Sequence, residues 1–419
     1  MIDIEVHKDL LILVRISLFL LPLACTFYFA WKRRDQEHIL VAALFAFLYS
    51  LALLLPAHII AIQLGMWEYG SQTLKILGMP ADLWFAGSLL FGPAIFLASP
   101  KFNPIVFSIF FITLHVLTFN SLDPLVIAGE HWLIGVLSIF VLVHIPAVYL
   151  AQWTSANIDL PRRATLLALA YGSLAFFIVP TLIMHTMGGS WAPDQWSIVK
   201  IVAITLCLLP CIIMGLSAVH MFVIYGEGTP IPLDRTKHLV TSGLYSYITN
   251  PMQLCTATFW IVLGAFLQNI FIALAAVMAV IFVLGLVRWH HRSDLLVRFP
   301  KGWPEYKANV PEWLPRWKPW IKEESKLYWN STNLWQSRYI EWLKKRKPIG
   351  VVFIEHRHPS TLYQDSKNRF TFSSIEAFIH PLFHINFVYA LIASGLLLIL
   401  LPAKLSYKMS TDNKRFCKK

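Results

Sequence analysis

A succession of long, nearly uncharged apolar runs decides what this chain can become. They lie near 9–31, 38–64, 84–99, 104–120, 132–151, 164–186 and 197–225. A helix needs roughly 17–25 such residues to cross a hydrocarbon core about 30 Å thick. An eighth run, 255–288, is too long for one ordinary span and carries Gln268-Asn269 part way along. A tight helical hairpin is expected there, which brings the total to about eight or nine transmembrane helices. Composition points the same way. The chain is 57% hydrophobic and 14% charged, where soluble domains are about 45–50% apolar and about a quarter charged. The expected fold class is an all-α polytopic membrane protein.

Loop charges orient the expected bundle. Lys32-Arg33-Arg34, Lys101, Arg162-Arg163 and Arg235/Lys237 fall in alternate loops, and Glu68, Asp123, Glu130 and Asp194 in the others, with Lys75 and Lys200 as basic exceptions. The basic set is cytoplasmic by the positive-inside rule, which puts the N-terminus outside and Gly228–Tyr247 with Arg288–Trp320 inside. The net charge of +12 therefore belongs to loops and to the last quarter of the chain. No basic stripe alternates with exposed aromatics, and nucleic acid is not an expected partner. The N-terminal run has no basic n-region and no small-residue cleavage site, so it is expected to be a retained helix. The five cysteines, Cys25, Cys207, Cys211, Cys255 and Cys417, form no CxxC. Neither a disulfide framework nor a zinc site is expected.

From about residue 289 the character changes. Arg288–Trp320 is rich in Trp, Pro, Arg and His, as a segment on the headgroups would be, and 321–383 is polar and mixed. The last apolar run, 384–402, is of marginal length. Spanning would carry Lys404, Lys408, Lys414, Arg415, Lys418 and Lys419 across the membrane, so a buried or membrane-lying helix is expected instead. Three regions result: N-terminal transmembrane helices (1–196), a membrane domain (197–320) and a C-terminal module (321–419).

The segment "VTSGLYSYITNPM" (Val240–Met252) is unusual for a chain entering lipid. Gly243 permits a close turn. Asn250-Pro251 forces residue 250 out of helical geometry and starts a helix with proline in its first turn. Backbone groups freed at membrane depth must be buried in protein or line a cavity. Tyr245 and Tyr247 can present ring faces to a cation. The residues fit a cofactor-lining loop, and they also fit an interfacial turn with aromatic anchors.

"GTPIPLDRTKHLVTSGLYSYITNPM", followed by "VPEWLPRWKPW", resembles the isoprenylcysteine carboxyl methyltransferase family and, more distantly, the phospholipid methyltransferases. The first block keeps Gly228, Thr229, Pro230, Pro232, Asp234, Leu239, Val240, Gly243, Tyr245, Tyr247, Asn250, Pro251 and Met252. The second keeps Leu295, Phe299, Tyr306, Val310, Pro311, Trp313, Pro315 and Arg316. The match runs from Gly228 to about Trp320. It implies an S-adenosylmethionine pocket at the cytoplasmic face, built by both blocks, with Leu239, Gly243, Tyr245, Tyr247, Asn250 and Pro251 as cofactor-binding residues. It also implies methyl transfer to a lipophilic or lipidated acceptor that enters from the bilayer. The family's arginines before Tyr247 and before Asn250 are Ser246 and Thr249 here, and its tyrosine after Met252 is Gln253. Its acidic pair falls on His291-Arg292, where a cation pair would repel the cofactor's ammonium; Asp294, the nearest carboxylate, is then the cofactor-binding candidate to meet that ammonium. His291 is a candidate general base, and Arg288 or Arg292 can pair with an anionic acceptor or serve as positive-inside anchors.

"KLYWNSTNLWQSRYIEWLKKRKPIGVVFIE" (Lys326–Glu355) resembles the start of the DCC family of thioredoxin-like proteins. Asn333 and Gln336 stand where that family has two cysteines. The tail echoes its closing pattern at Pro402, Tyr407 and Asn413–Arg415. The resemblance implies a small cytoplasmic α/β, thioredoxin-like module. Thiol exchange needs a thiolate and amides supply none, so a docking or structural role for a protein partner is expected. His115, His144, His185 and His220 lack ligand spacing and fit core or interface positions, with no metal expected. Arg15 is expected to snorkel. Two functions stand: an integral-membrane, multi-pass methyltransferase (in the inner membrane, if the cell is bacterial), or a non-catalytic membrane scaffold with an altered cofactor site.

Overall fold

A computed structural model describes residues 2–70, 74–123, 125–229, 231, 233–356, 361–366 and 370–400; of residues 2–11, Asn120, His290 and His291 it describes the backbone alone. Seven described helices are long and apolar enough to cross a membrane, and three apolar helices are shorter. The protein is a membrane protein. The chain divides into two compact units, Met1–Trp191 and Ala192–Lys419.

In the first unit the membrane-length helices are Ile12–Lys32, Glu37–Gln63, Ala81–Ala98, Trp132–Ser155 and Leu160–Met187. The run near 104–120 makes a shorter helix, Pro104–Thr118. Glu37–Gln63 is the central element. Its alanines at 42, 43, 46 and 52 are buried, as small residues are where helix backbones approach closely in lipid. Prolines leave gaps in this helical ladder, and neighbouring side chains fill them. Pro56 has no N–H for the Ala52 carbonyl, and Ser173 Oγ donates to that oxygen at 2.5 Å. Pro146 leaves the Leu142 carbonyl in the same state, and Tyr49 Oη donates to it at 2.9 Å. His144 donates from Nδ1 to the Phe91 carbonyl at 2.7 Å among the rings of Phe91, Phe107 and Phe140. Arg15, near the start of its span, makes a two-pronged ion pair with Asp82 in the first turn of Ala81–Ala98, at 2.6 and 2.7 Å, and a paired charge costs less in a membrane than a free one.

In the second unit, Ile198–Gly226 is followed by a loop and then by two helices, Pro251–Phe266 and Ile270–Arg298. The expected hairpin turns at Gln268-Asn269. Gln268 takes a left-handed φ of 52°, and Asn269 Oδ1 accepts from the N–H groups of Phe271 and Ile272. The arms meet closely: a Cβ on Gly264 would stand 2.5 Å from the Ala273 nitrogen. The last apolar run forms a helix over Phe387–Leu400, about 21 Å long. Its Ala390, Ala393 and Leu397 are buried, and Gly395 faces Ile213. Residues 401–419, with the tail pattern at Pro402, Tyr407 and Asn413–Arg415, lie outside the described residues.

Between these helices sits a four-stranded sheet. Strands β1 (Ser325–Trp329), β2 (Val351–Glu355), β3 (Leu362–Gln364) and β4 (Thr371–Ser373) lie in the order β2-β1-β3-β4. β1 and β2 are parallel and joined through the helix Leu334–Lys345; β1–β3 and β3–β4 are antiparallel. Register aligns Leu327 with Tyr363 and Tyr363 with Phe372, a row of buried side chains on one face.

Candidate functional site

Local geometry folds the Gly228–Met252 segment back on itself. Helix Ile198–Gly226 ends where Glu227 adopts a φ of 52°, and Lys237 N–H then returns to the Gly226 carbonyl at 2.7 Å. Gly243 takes a left-handed φ of +65°, where a side chain would be strained, and its Cβ would lie 2.6 Å from Met221 Sδ. The segment after the hairpin closes against this loop through backbone bonds. Thr249 N–H donates to Pro311 O at 2.9 Å, Arg316 N–H to Tyr247 O at 3.0 Å, and Trp320 N–H to Ser246 O at 2.8 Å. Tyr306 Oη adds a bond to the Tyr245 carbonyl at 2.7 Å. Trp303, Tyr306 and Val310 pack with Leu239, Leu295, Phe299 and Trp320 behind it. The two sequence blocks thus form one substructure.

They enclose a cavity of about 140 Å³. Its rings are Phe222, Tyr245, Phe282, Trp303 and Tyr306, its charged side chains are Arg235 and Arg298, and no carboxylate lines it among the described residues. Tyr245 (4% exposed), Thr249 (8%) and Asn250 (2%) are among the buried polar side chains of its wall. Their Oη, Oγ1 and Nδ2 atoms have no hydrogen-bond partner among the described residues. Buried polar groups are nearly always paired, so three unpaired ones around one space are informative. Burial pushes the Tyr245 phenol well above its ordinary range, so it stays a hydrogen-bond donor.

The cavity brings together Leu239, Tyr245 and Asn250 of the residues singled out in the sequence. Gly243 lines a second space of about 30 Å³, with Ser246, Tyr363 and His384. Tyr247 is fully buried and donates to the Phe383 carbonyl at 2.9 Å. Pro251 is buried in the first turn of its helix. Arg288 pairs with Glu312 at 3.3 Å and Arg292 is exposed; neither lines the cavity. The side chain of His291 lies outside the described residues. Asp294 is buried behind the wall, chelated by Arg298 (Nε to both oxygens at 2.9 and 3.0 Å, Nη2 at 2.5 Å) and 3.3 Å from Arg235. Arg288 and Arg292 share one helix face, while Asp294 and Arg298, also four apart, share another. Arg235, Arg298, Thr249 and Trp303 escaped sequence reasoning. The four-residue spacing of Asp294 and Arg298 was the available signal.

Comparison of the chain with protein families, curated proteins and solved structures gave no match.

Proposed function

We propose that this protein is an integral-membrane methyltransferase that uses S-adenosylmethionine and acts on a lipophilic acceptor. The observation that carries the reading is the set of donors of Tyr245, Thr249 and Asn250, without partners among the described residues, in the cavity where the two methyltransferase-like blocks meet. The donor set fits the cofactor in this way: Thr249 and Asn250 offer hydrogen bonds to its purine and ribose. The rings of Tyr245, Trp303 and Tyr306 offer electron-rich faces to a sulfonium. When bound, S-adenosylmethionine supplies an electrophilic methyl group. The chain's own part is orientation, because an in-line displacement gains chiefly from holding the partners in place. Tyr306, bonded to the Tyr245 carbonyl, fixes the loop that presents Tyr245. Phe282, Leu286 and Val287 exclude water from the apolar side.

The alternation of basic loops puts Gly228–Tyr247 on the cytoplasmic side. Thr229→Cys should therefore label from inside only, and Asp123→Cys from outside. In the C-terminal module, a parallel β1–β2 pair joined by a helix, with two antiparallel strands added in the order β2-β1-β3-β4, supports the thioredoxin-like reading. Its cysteine-free turn supports a structural or docking role.

A second reading, a non-catalytic scaffold, is favoured by the two arginines and the lack of a lining carboxylate among the described residues, since the cofactor's ammonium finds no counter-charge among them. Calorimetric titration of the purified protein with S-adenosylmethionine separates the two. Binding that weakens at least about tenfold in Asn250→Leu is the expected result. No binding by a folded wild type would leave the scaffold.

A further inference from the structure

The charged end of the same cavity has an organisation of its own. Arg298 is held rigidly. Its Nε and Nη2 chelate Asp294, and its Nη1 donates to the Thr236 carbonyl at 2.5 Å. These bonds occupy three of the five N–H donors of a guanidinium, and the remaining two have no acceptor among the described residues. Arg235 stands beside it, 3.3 Å from the same carboxylate. Two guanidiniums share one buried carboxylate, so this end of the cavity carries a net positive charge. The opposite wall is apolar in a particular way. Phe282 and Leu286 line the cavity, yet they are 45% and 46% exposed on a helix long and apolar enough to cross a membrane. The cavity wall is therefore continuous with a surface that faces lipid.

We propose that Arg235 and Arg298 form an oxyanion subsite, and that its ligand is the phosphate head group of an anionic membrane lipid whose chains run over Phe282 and Leu286. Guanidinium forks match phosphate oxygens, and such bonds are about twice as strong as neutral ones. Asp294 is a positioning residue. It fixes the Arg298 fork and leaves the free N–H groups for the ligand. The proposal uses the cavity but not methyl transfer, and it is measured without S-adenosylmethionine, so either idea can fail alone.

The test is binding of dioctanoyl phosphatidic acid, dioctanoyl phosphatidylcholine and inorganic phosphate to the full chain in neutral detergent. Phosphatidic acid should bind at least about tenfold more tightly than either of the others. Arg235→Gln, at a side chain that is 63% exposed, should fold normally and lose about tenfold in phosphatidic acid affinity. Arg235→Lys should keep most of it. Arg298→Gln should lose more, with thermal unfolding as the check on its fold. Equal binding of the two lipids would overturn the subsite. Inorganic phosphate binding as tightly as phosphatidic acid would overturn the lipid assignment. Unchanged lipid affinity in Arg235→Gln, with S-adenosylmethionine affinity reduced, would show that the arginines serve the cofactor's carboxylate instead.

Discussion

The cavity at Tyr245 and the turn at Asn330 both hold patterns whose resemblance leads to a reactive site, and they differ in what has become of their polar groups. At the turn, every substituted amide has work within the fold. Asn333 Oδ1 accepts from the N–H groups of Trp335 and Gln336 and caps the helix. Gln336 Oε1 accepts from Asn330 N–H at 2.7 Å, and Asn330 Oδ1 accepts from Thr332. At the cavity, Tyr245, Thr249 and Asn250 are buried like Gln336 and more deeply than Asn330 or Asn333, yet their Oη, Oγ1 and Nδ2 atoms have no such partners among the described residues. An unmet buried donor costs about 1–3 kcal/mol. A fold with no use for such groups would be expected to pair them, as the turn's amides are paired. The turn's amides serve its own structure, while these three atoms at the cavity have no partner among the described residues.

The largest test of this contrast is Asp294→Ala. Removing the carboxylate strands Arg298 beside Arg235 in a part-buried setting, and should cost about 3 kcal/mol in chemical unfolding from mixed micelles. A cost below about 1 kcal/mol would mean that the cluster behaves as a surface ion pair, and the cavity would lose its organised charged end.

Acid should act on the sheet region and spare the cavity. His384 donates from Nδ1 to the Ile349 carbonyl and accepts at Nε2 from Tyr363 Oη, both at 2.7 Å. Burial pushes its pKa down from 6.5 to about 4, against a smaller upward pull from the Ile349 bond. The unfolded chain then binds the proton more readily than the folded one. Stability is complete above about pH 6.5 and falls as the pH drops toward 4, by about 3 kcal/mol in all. His384→Asn should flatten that part of the pH–stability curve. An unchanged slope would place the acid sensitivity elsewhere. The Tyr245 phenol, pushed upward by burial, keeps its proton throughout.

The smallest effects sharpen the comparison most. Asn333→Ala should cost about 1 kcal/mol for its lost cap. Tyr245→Phe removes a buried hydroxyl with no partner among the described residues, and should raise stability by about 1 kcal/mol while weakening binding of the cavity's ligand. Equal stability losses in the two variants would mean that Tyr245 is as structural as Asn333.

The sequence made some of this visible. Hydropathy located the long helices, and the hairpin at Gln268-Asn269 was legible because an asparagine cap interrupts an overlong run. Asn250-Pro251 marked the loop-to-helix junction. The helix face was not legible. The resemblance directed attention to Arg288, His291 and Arg292, but Arg288 and Arg292 do not line the cavity, and Arg298, nearly two turns beyond Arg292, supplies its charge with Arg235. The partner of Arg15, Asp82, was not legible because it lies in another helix that one-dimensional spacing cannot reach. For the same reason Thr249, read as a lost arginine, gave no hint that its hydroxyl faces the ligand space.

The filled gaps behind the prolines have a consequence for how this membrane unit can change. Ser173 is needed because Pro56 exists, and Tyr49 because Pro146 does, so each residue's tolerance is conditional on a residue in a different helix. Ser173→Ala alone leaves the Ala52 carbonyl orphaned in an apolar interior. With Pro56→Ala in the same chain, the helix supplies its own donor and the serine becomes dispensable. Drift through such pairs has an order: the proline must go before the hydroxyl does. A chain that lost the hydroxyl first would pass through its least stable form on the way.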